Sequence, residues 1–165
     1  MAIPRNIKQY LFENDVPYSQ KTHSVAYTAQ EVAQVERVPG GEFAKTVVLQ
    51  ADRRLILAVL PADHVINLDA LKRQIHCGTL SLVPEKEFIE TFPACQPGAM
   101  PPFAKLFGLP LYCDSALSEH SEIEFNGGTH IDTIRMKYDN FIELENPRVF
   151  SFSEKQTGQR TARTA

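Results

Sequence analysis

The chain has 165 residues, 43% of them hydrophobic and 22% charged, and a formal net charge of -3. That length suits a single domain, and the balance of apolar and charged residues excludes a mainly disordered chain. An acidic excess is not what grips long nucleic acid through its phosphates. A nucleic-acid partner would be met over a small surface, recognised by shape, or delivered by another protein. No run approaches the roughly 18–20 apolar residues of a membrane span, so no membrane association is expected. Met1-Ala2-Ile3-Pro4-Arg5 does not lead into the apolar run of a secretory signal. The three cysteines, Cys77, Cys95 and Cys113, are odd in number and form no C-x-x-C pair. That argues against a disulfide framework and a zinc site and fits a reducing, cytoplasmic compartment.

In chain order, Ile7, Tyr10 and Leu11 predict a first helix between Pro4 and Asn14. Pro17 to His23 reads as extended. Thr28-Ala29-Gln30-Glu31 is a capping box opening a second helix, which Pro39-Gly40-Gly41 is expected to end. Ala44–Ala51 and Leu55–Leu60 predict a hairpin about Asp52-Arg53-Arg54, the second run apolar enough for a central strand. Asn67 and Asp69 open a helix carrying Leu68, Leu71 and Ile75, closed by Gly78. A short helix follows over Pro84–Phe92, with Phe88, Ile89 and Phe92 expected inward, then a long irregular segment from Pro93 to Pro110.

Strands are expected at Leu111–Cys113 and Ile123–Phe125, with a turn at Asn126-Gly127-Gly128 and a last strand over Thr129–Tyr138. Asp139 would cap a final helix that Pro147 ends. Helices and strands intermingle without strict β-α-β alternation, which predicts an α+β fold with a mixed sheet. Residues 1–152 are read as one domain and residues 153–165 as a loosely fitting polar C-terminal tail.

Three features stand out chemically. Lys45 opens an apolar strand, where an ammonium needs water, a carboxylate or a ligand; a lysine snorkelling from a strand end needs no function. Pro97-Gly98-Ala99-Met100-Pro101-Pro102 lies in a loop longer than the usual connector. Its prolines stiffen the backbone, and Gly98 leaves an amide free to donate, as a carbonyl or oxyanion site requires. A proline-rich surface connector is the plain alternative. Gly127-Gly128-Thr129-His130 reads equally well as a tight turn and a hydrogen-bonded histidine. No catalytic triad order, phosphate-binding glycine loop or metal-ligand spacing offers a competing chemistry.

Taken together, the Ala-Lys-Thr-Val-Val-Leu strand at Lys45, the Gly98-Ala99-Met100-Pro101-Pro102 loop and the Asn126-Gly127-Gly128-Thr129-His130 turn carry a resemblance. So does Leu60-Pro61-Ala62 followed by Asn67-Leu68-Asp69. The chain resembles the YbaK/prolyl-tRNA-synthetase-associated domain family of trans-editing aminoacyl-tRNA deacylases, from about Pro4 to Phe150. Ala104 departs from the glycine many relatives place after the Pro-Pro-aromatic run, which bears on the loop's detailed shape.

The resemblance implies a strongly curved, barrel-like mixed sheet wrapped by helices. It also implies hydrolysis of the ester joining a wrong amino acid, such as alanine, cysteine or serine, to the 3′ end of a tRNA, for instance that for proline. Lys45 and Gly98 would be the catalytic residues. Thr46, Ala99, Met100, Pro101, Pro102, Gly128 and His130 would bind substrate, with no metal and no cofactor. The partners implied are the acceptor 3′ end of a mischarged tRNA and a synthetase or elongation factor that delivers it, with the protein a monomer or homodimer. A non-catalytic module of the same fold, binding an amino acid, nucleotide or tRNA end, is one alternative; a hydrolase of another small activated ester is the other.

Overall fold

The structure, a computed structural model, describes residues 2–156. Its helices are α1 (Arg5–Glu13), α2 (Ala29–Glu36), α3 (Leu68–Ile75), α4 (Glu85–Phe88), α5 (Ala104–Phe107) and α6 (Tyr138–Glu145). The longer strands are β1 (Ser19–Thr22), β2 (Ala44–Ala51), β3 (Arg54–Pro61), β6 (Leu111–Asp114), β7 (Glu122–Asn126) and β8 (Asp132–Lys137). Three-residue strands complete the set: β4 (His64–Ile66), β5 (Leu80–Leu82), β9 (Arg148–Phe150) and β10 (Ser153–Lys155).

The result is the mixed α+β arrangement expected. The strands divide into sheets ordered β5-β2-β3-β6-β9, β1-β8-β7 and β10-β4. In the five-stranded sheet β3 pairs antiparallel with β2 and parallel with β6. An isolated parallel bridge between Phe43 and Glu124 joins it to the three-stranded sheet. Among the described residues, strand pairing closes none of the sheets into a barrel.

β3 explains why its sequence carries no polar alternation. It is the middle strand of five, and Leu57 and Val59 enter the main core with Phe103, Leu111 and Phe125. Ile56, Ala58 and Leu60 point the other way, against Leu71 of α3 and Phe152. With both faces covered, every position must be apolar; each fully buried aliphatic side chain contributes about 1.5–3 kcal/mol. Aromatic edges tie the main core together: Phe103 meets Phe125 edge-on at 5.4 Å between centroids, and Phe92 meets Phe107 at 4.7 Å.

The local signals fare unevenly. The capping box forms as expected: Thr28 Oγ1 accepts from Glu31 N–H at 3.0 Å, and Glu31 Oε1 accepts from Thr28 N–H at 3.2 Å. The helix ends earlier than the glycine pair, at Arg37, whose φ of 60° makes the left-handed cap itself. Likewise α3 closes at His76 (φ 58°), ahead of Gly78. Asp139 is no cap; it stands in the first turn of α6, after Lys137.

Ile89, expected inward, is exposed, while Phe88 and Phe92 are buried. The tight 3₁₀ turn after α4 rotates it off the inner face. The strand expected from Thr129 begins only at Asp132. The Thr129 hydroxyl accepts from the amides of Ile131 and Asp132, folding the chain into a turn instead.

Nor is that strand the last, since β9 and β10 follow. Ser153–Lys155, expected to begin a loose tail, pair antiparallel with His64–Ile66 in β4. The rest of the expected tail, residues 157–165, lies outside the described residues. No described helix is long and apolar enough to cross a membrane.

Candidate active site

Lys45 is the second residue of β2 and pairs with Leu60 of β3, so its side chain leaves the sheet on the Leu60 face. There it lines a cleft of about 240 Å³ with Thr28, Ala29 and Gln30 at the start of α2, Ala62, Val65 and Gln156. Burial lowers the ammonium's pKa, and the Asp63 carboxylate opposes that shift from a distance. Among the described residues no carboxylate lies within 4 Å of the Lys45 ammonium, and Asp63 Oδ1 is itself buried without a hydrogen-bond partner. A half-buried cation facing a cleft without an ion-pair partner is unusual for a structural lysine. Gly40 leaves room for the Asp63 side chain, since a β-carbon there would stand 3.0 Å from Asp63 Cβ.

The second group of candidate residues is the proline-rich loop bound to the glycine turn. Gln96 N–H donates to the Gly128 carbonyl at 2.8 Å, and Gly128 N–H donates to that of Ala99 at 2.9 Å. Gln96 Oε1 accepts from His130 N–H at 2.7 Å. The His130 ring completes the clamp, with Nε2 2.8 Å from the Pro97 carbonyl. A carbonyl can only accept, so Nε2 carries the proton and Nδ1 is left as an acceptor, buried and without a partner. Gly98 adopts φ +83°, and its amide, like that of Met100, makes no hydrogen bond among the described residues. Pro101 and Pro102 are buried behind it and have no amide to offer. The loop thus presents free donors on a backbone fastened on both sides.

Gly98, Ala99, Gly128 and His130 are therefore brought together. Lys45 lies in the cleft beside Thr28, one residue from Tyr27, whose exposed ring rests on His130 with centroids 4.9 Å apart. Thr46 shares the strand with Lys45 but not its face. It pairs with Val59, whose side chain enters the main core, and its hydroxyl is buried without a partner. Ala99 and Met100 are buried, forming the floor of the loop.

Tyr27, Asp63 and Gln96 escaped the sequence reading. Thr28 signalled only a helix start, and nothing local to Tyr27 or Asp63 reveals a ring on His130 or a field at Lys45. Among the described residues no three His, Cys, Asp or Glu side chains group as metal ligands.

The profile of the "Aminoacyl-tRNA editing domain" matches residues 23–144, which include Lys45, Gly98 and His130. The chain belongs to this editing-domain family. Compared with curated protein sequences, it finds no match. Solved structures share the fold of this editing domain. The hypothetical protein APE2540 superposes with a TM-score of 0.82 at 18% identity, covering 91% of this chain and 100% of that one. A candidate trans-editing enzyme for prolyl-tRNA synthetase gives 0.76 at 20% identity, over 91% and 96%. A protein from a computational study grafting epitopes onto scaffolds gives 0.77 at 19% identity, over 92% and 97%. The family match begins at His23 and ends at Leu144, so α1, β1, β9 and β10 lie outside it in this editing domain.

Proposed function

We propose that this editing domain is a deacylase that hydrolyses the ester between a wrongly attached amino acid and the 3′-terminal ribose of a tRNA. The substrate we infer is a small residue, alanine, cysteine or serine, on the tRNA for proline. The observation that carries this reading is Lys45, a desolvated cation with no close carboxylate, facing a cleft in a chain of the editing family.

An aminoacyl ester is already activated, so the protein need only orient it and stabilise charge as it develops. Water adds to the acyl carbon, the carbonyl oxygen takes up negative charge, and the bond to the ribose oxygen breaks. The amino acid leaves as a carboxylic acid, and the ribose hydroxyl is restored. The Gly98 amide is assigned to the developing oxyanion, and the Lys45 ammonium to holding the substrate beside the scissile ester. His130 keeps the loop in place through its bond to the Pro97 carbonyl. Met100, Pro101, Pro102 and Gly128 hold the loop's shape, and Thr46 supports the strand beneath.

A protein nucleophile is not needed, and the thiol next to Gln96 in the chain is a poor one: burial pushes Cys95 up to about 11, leaving it protonated at neutral pH. The partners in this reading are the acceptor end of the mischarged tRNA and a synthetase or elongation factor that hands it over. Incubation with a panel of mischarged tRNAs tests it. Release of a small amino acid supports the proposal. Binding without release from any of them overturns it in favour of a recognition module.

A further inference from the structure

The net charge of -3 leaves the editing domain few places where a polyanion could lie, and one corner of the fold collects free cations. Arg53 sits in the β2–β3 turn and Arg54 opens β3; Lys72 and Arg73 occupy the last turn of α3, followed by His76 at its cap. These segments are distant in sequence but fastened together by Asp52. Its Oδ1 accepts from the amides of Gly78 and Thr79, each at 2.9 Å, and its own N–H donates to the Thr79 carbonyl at 3.0 Å. Arg53, Arg54, Arg73 and His76 are exposed, and Lys72 is half-buried. None of the four Arg and Lys side chains forms an ion pair among the described residues, whereas Arg135 engages Glu42, Glu122 and Glu124, and Lys21 engages Glu36 and Glu124. The Asp52 carboxylate is committed to backbone amides, and Asp69 stands beside the α3 cations, one turn back along the helix.

The corner's position relative to Lys45 gives it a partner. Lys45 and Leu60 share a sheet face, and Leu60 packs in one cluster with Leu71 of α3. The Lys45 cleft and α3 therefore lie on the same side of the five-stranded sheet. The helix starts near the cleft, where Val65 lines it, and ends at the cationic corner. The seven residue steps from Lys45 along β2 to Asp52, just past its end, span roughly 23 Å, a reach of several nucleotides.

We propose that Arg53, Arg54, Lys72, Arg73 and His76 form a contact surface for the phosphate backbone of the tRNA arm whose 3′ end occupies the Lys45 cleft, an inference that rests on the deacylase reading. Such contacts carry no base information; they position the arm and fall off with salt as counterions cease to be released.

The test compares wild type with the variant Arg53→Ala/Arg54→Ala/Lys72→Ala/Arg73→Ala. Fluorescence anisotropy follows an uncharged proline-tRNA transcript between about 50 and 200 mM salt. The expected result is weaker binding by the variant and a plot of log affinity against log salt shallower by about 3 to 4. The Arg53→Lys/Arg54→Lys/Arg73→Lys variant keeps its charges and should keep the wild-type slope. Both should hydrolyse an aminoacyl-CCA trinucleotide at the wild-type rate, since that substrate is too short to reach the corner. Wild-type affinity and slope in the alanine variant overturn the proposal, as does equal loss on the trinucleotide and the full tRNA. Should wild type bind tRNA with the expected slope yet hydrolyse neither ester, the corner stands and the deacylase reading falls.

Discussion

His130 Nε2 lies 2.8 Å from the Pro97 carbonyl, so the histidine of the glycine turn is a strut of the loop that carries Gly98. The same ring supports Tyr27, linking the loop to the segment that opens the Lys45 cleft. One side chain thus touches both the loop and the segment before α2, while its backbone amide is held separately by Gln96.

His130→Ala should accordingly cost activity more than stability. One neutral hydrogen bond contributes about 0.5–1.5 kcal/mol net, so melting should fall by no more than roughly 6 °C. Single-turnover hydrolysis should drop by about 10- to 100-fold, because a loosened loop misplaces its amide donors. His130→Gln, which can still donate to Pro97, should recover part of the rate. A rate unchanged in the alanine variant would mean that the loop needs no strut.

Gly128→Ala should act mainly on stability. A β-carbon would lie 2.6 Å from Pro4 Cδ and 3.0 Å from Ile7 Cδ1, on a residue with φ +101°. Strain of this kind costs about 1–3 kcal/mol, or roughly 2–12 °C in melting temperature. Calorimetry checks it; a melt within a degree of wild type would show that α1 can retreat from the turn without penalty.

What the sequence discloses follows the range of the forces involved. The Thr28–Glu31 capping box is a contact between residues three apart, and β3 advertises its burial on both faces through six consecutive apolar residues. The strands β4 and β10 have no such signal. Ser153 finds Ile66 only because the chain returns to it, and three-residue strands carry too little alternation to be read. Lys45, Gly98 and His130 are conspicuous as residue types out of place. The clamp between Gln96 and His130, the field of Asp63 at Lys45 and the opposite facing of Thr46 exist only once the strands are paired.

The electrostatics of Lys45 give a pH prediction with a definite sign. Burial lowers its pKa from 10.5, and Asp63 partly restores it. With the ammonium as the active form, hydrolysis should fail on the alkaline side below the ordinary lysine value. Asp63→Asn removes the restoring charge, so that limb should move to lower pH. Stability has the matching sense: the unfolded chain binds the lysine proton more tightly, so this group's contribution rises with pH through the window below 10.5. A pH–rate profile of both proteins decides the point, and an unmoved or raised alkaline limb in the variant contradicts it.

The central claim is that Lys45 holds the substrate beside the scissile ester. Its most direct test is single-turnover deacylation of mischarged proline tRNA by wild type, Lys45→Ala and Lys45→Arg, with melts recorded alongside. Loss of a charge-assisted contact costs about 2–4 kcal/mol, or roughly 30- to 1,000-fold in rate. The alanine variant should lose that much while melting close to wild type. Arginine should not restore it fully, since a planar guanidinium is a poor replacement for a compact ammonium in a tight cleft. Hydrolysis by Lys45→Ala at the wild-type rate would contradict the account and leave Lys45 a lysine at the end of a strand.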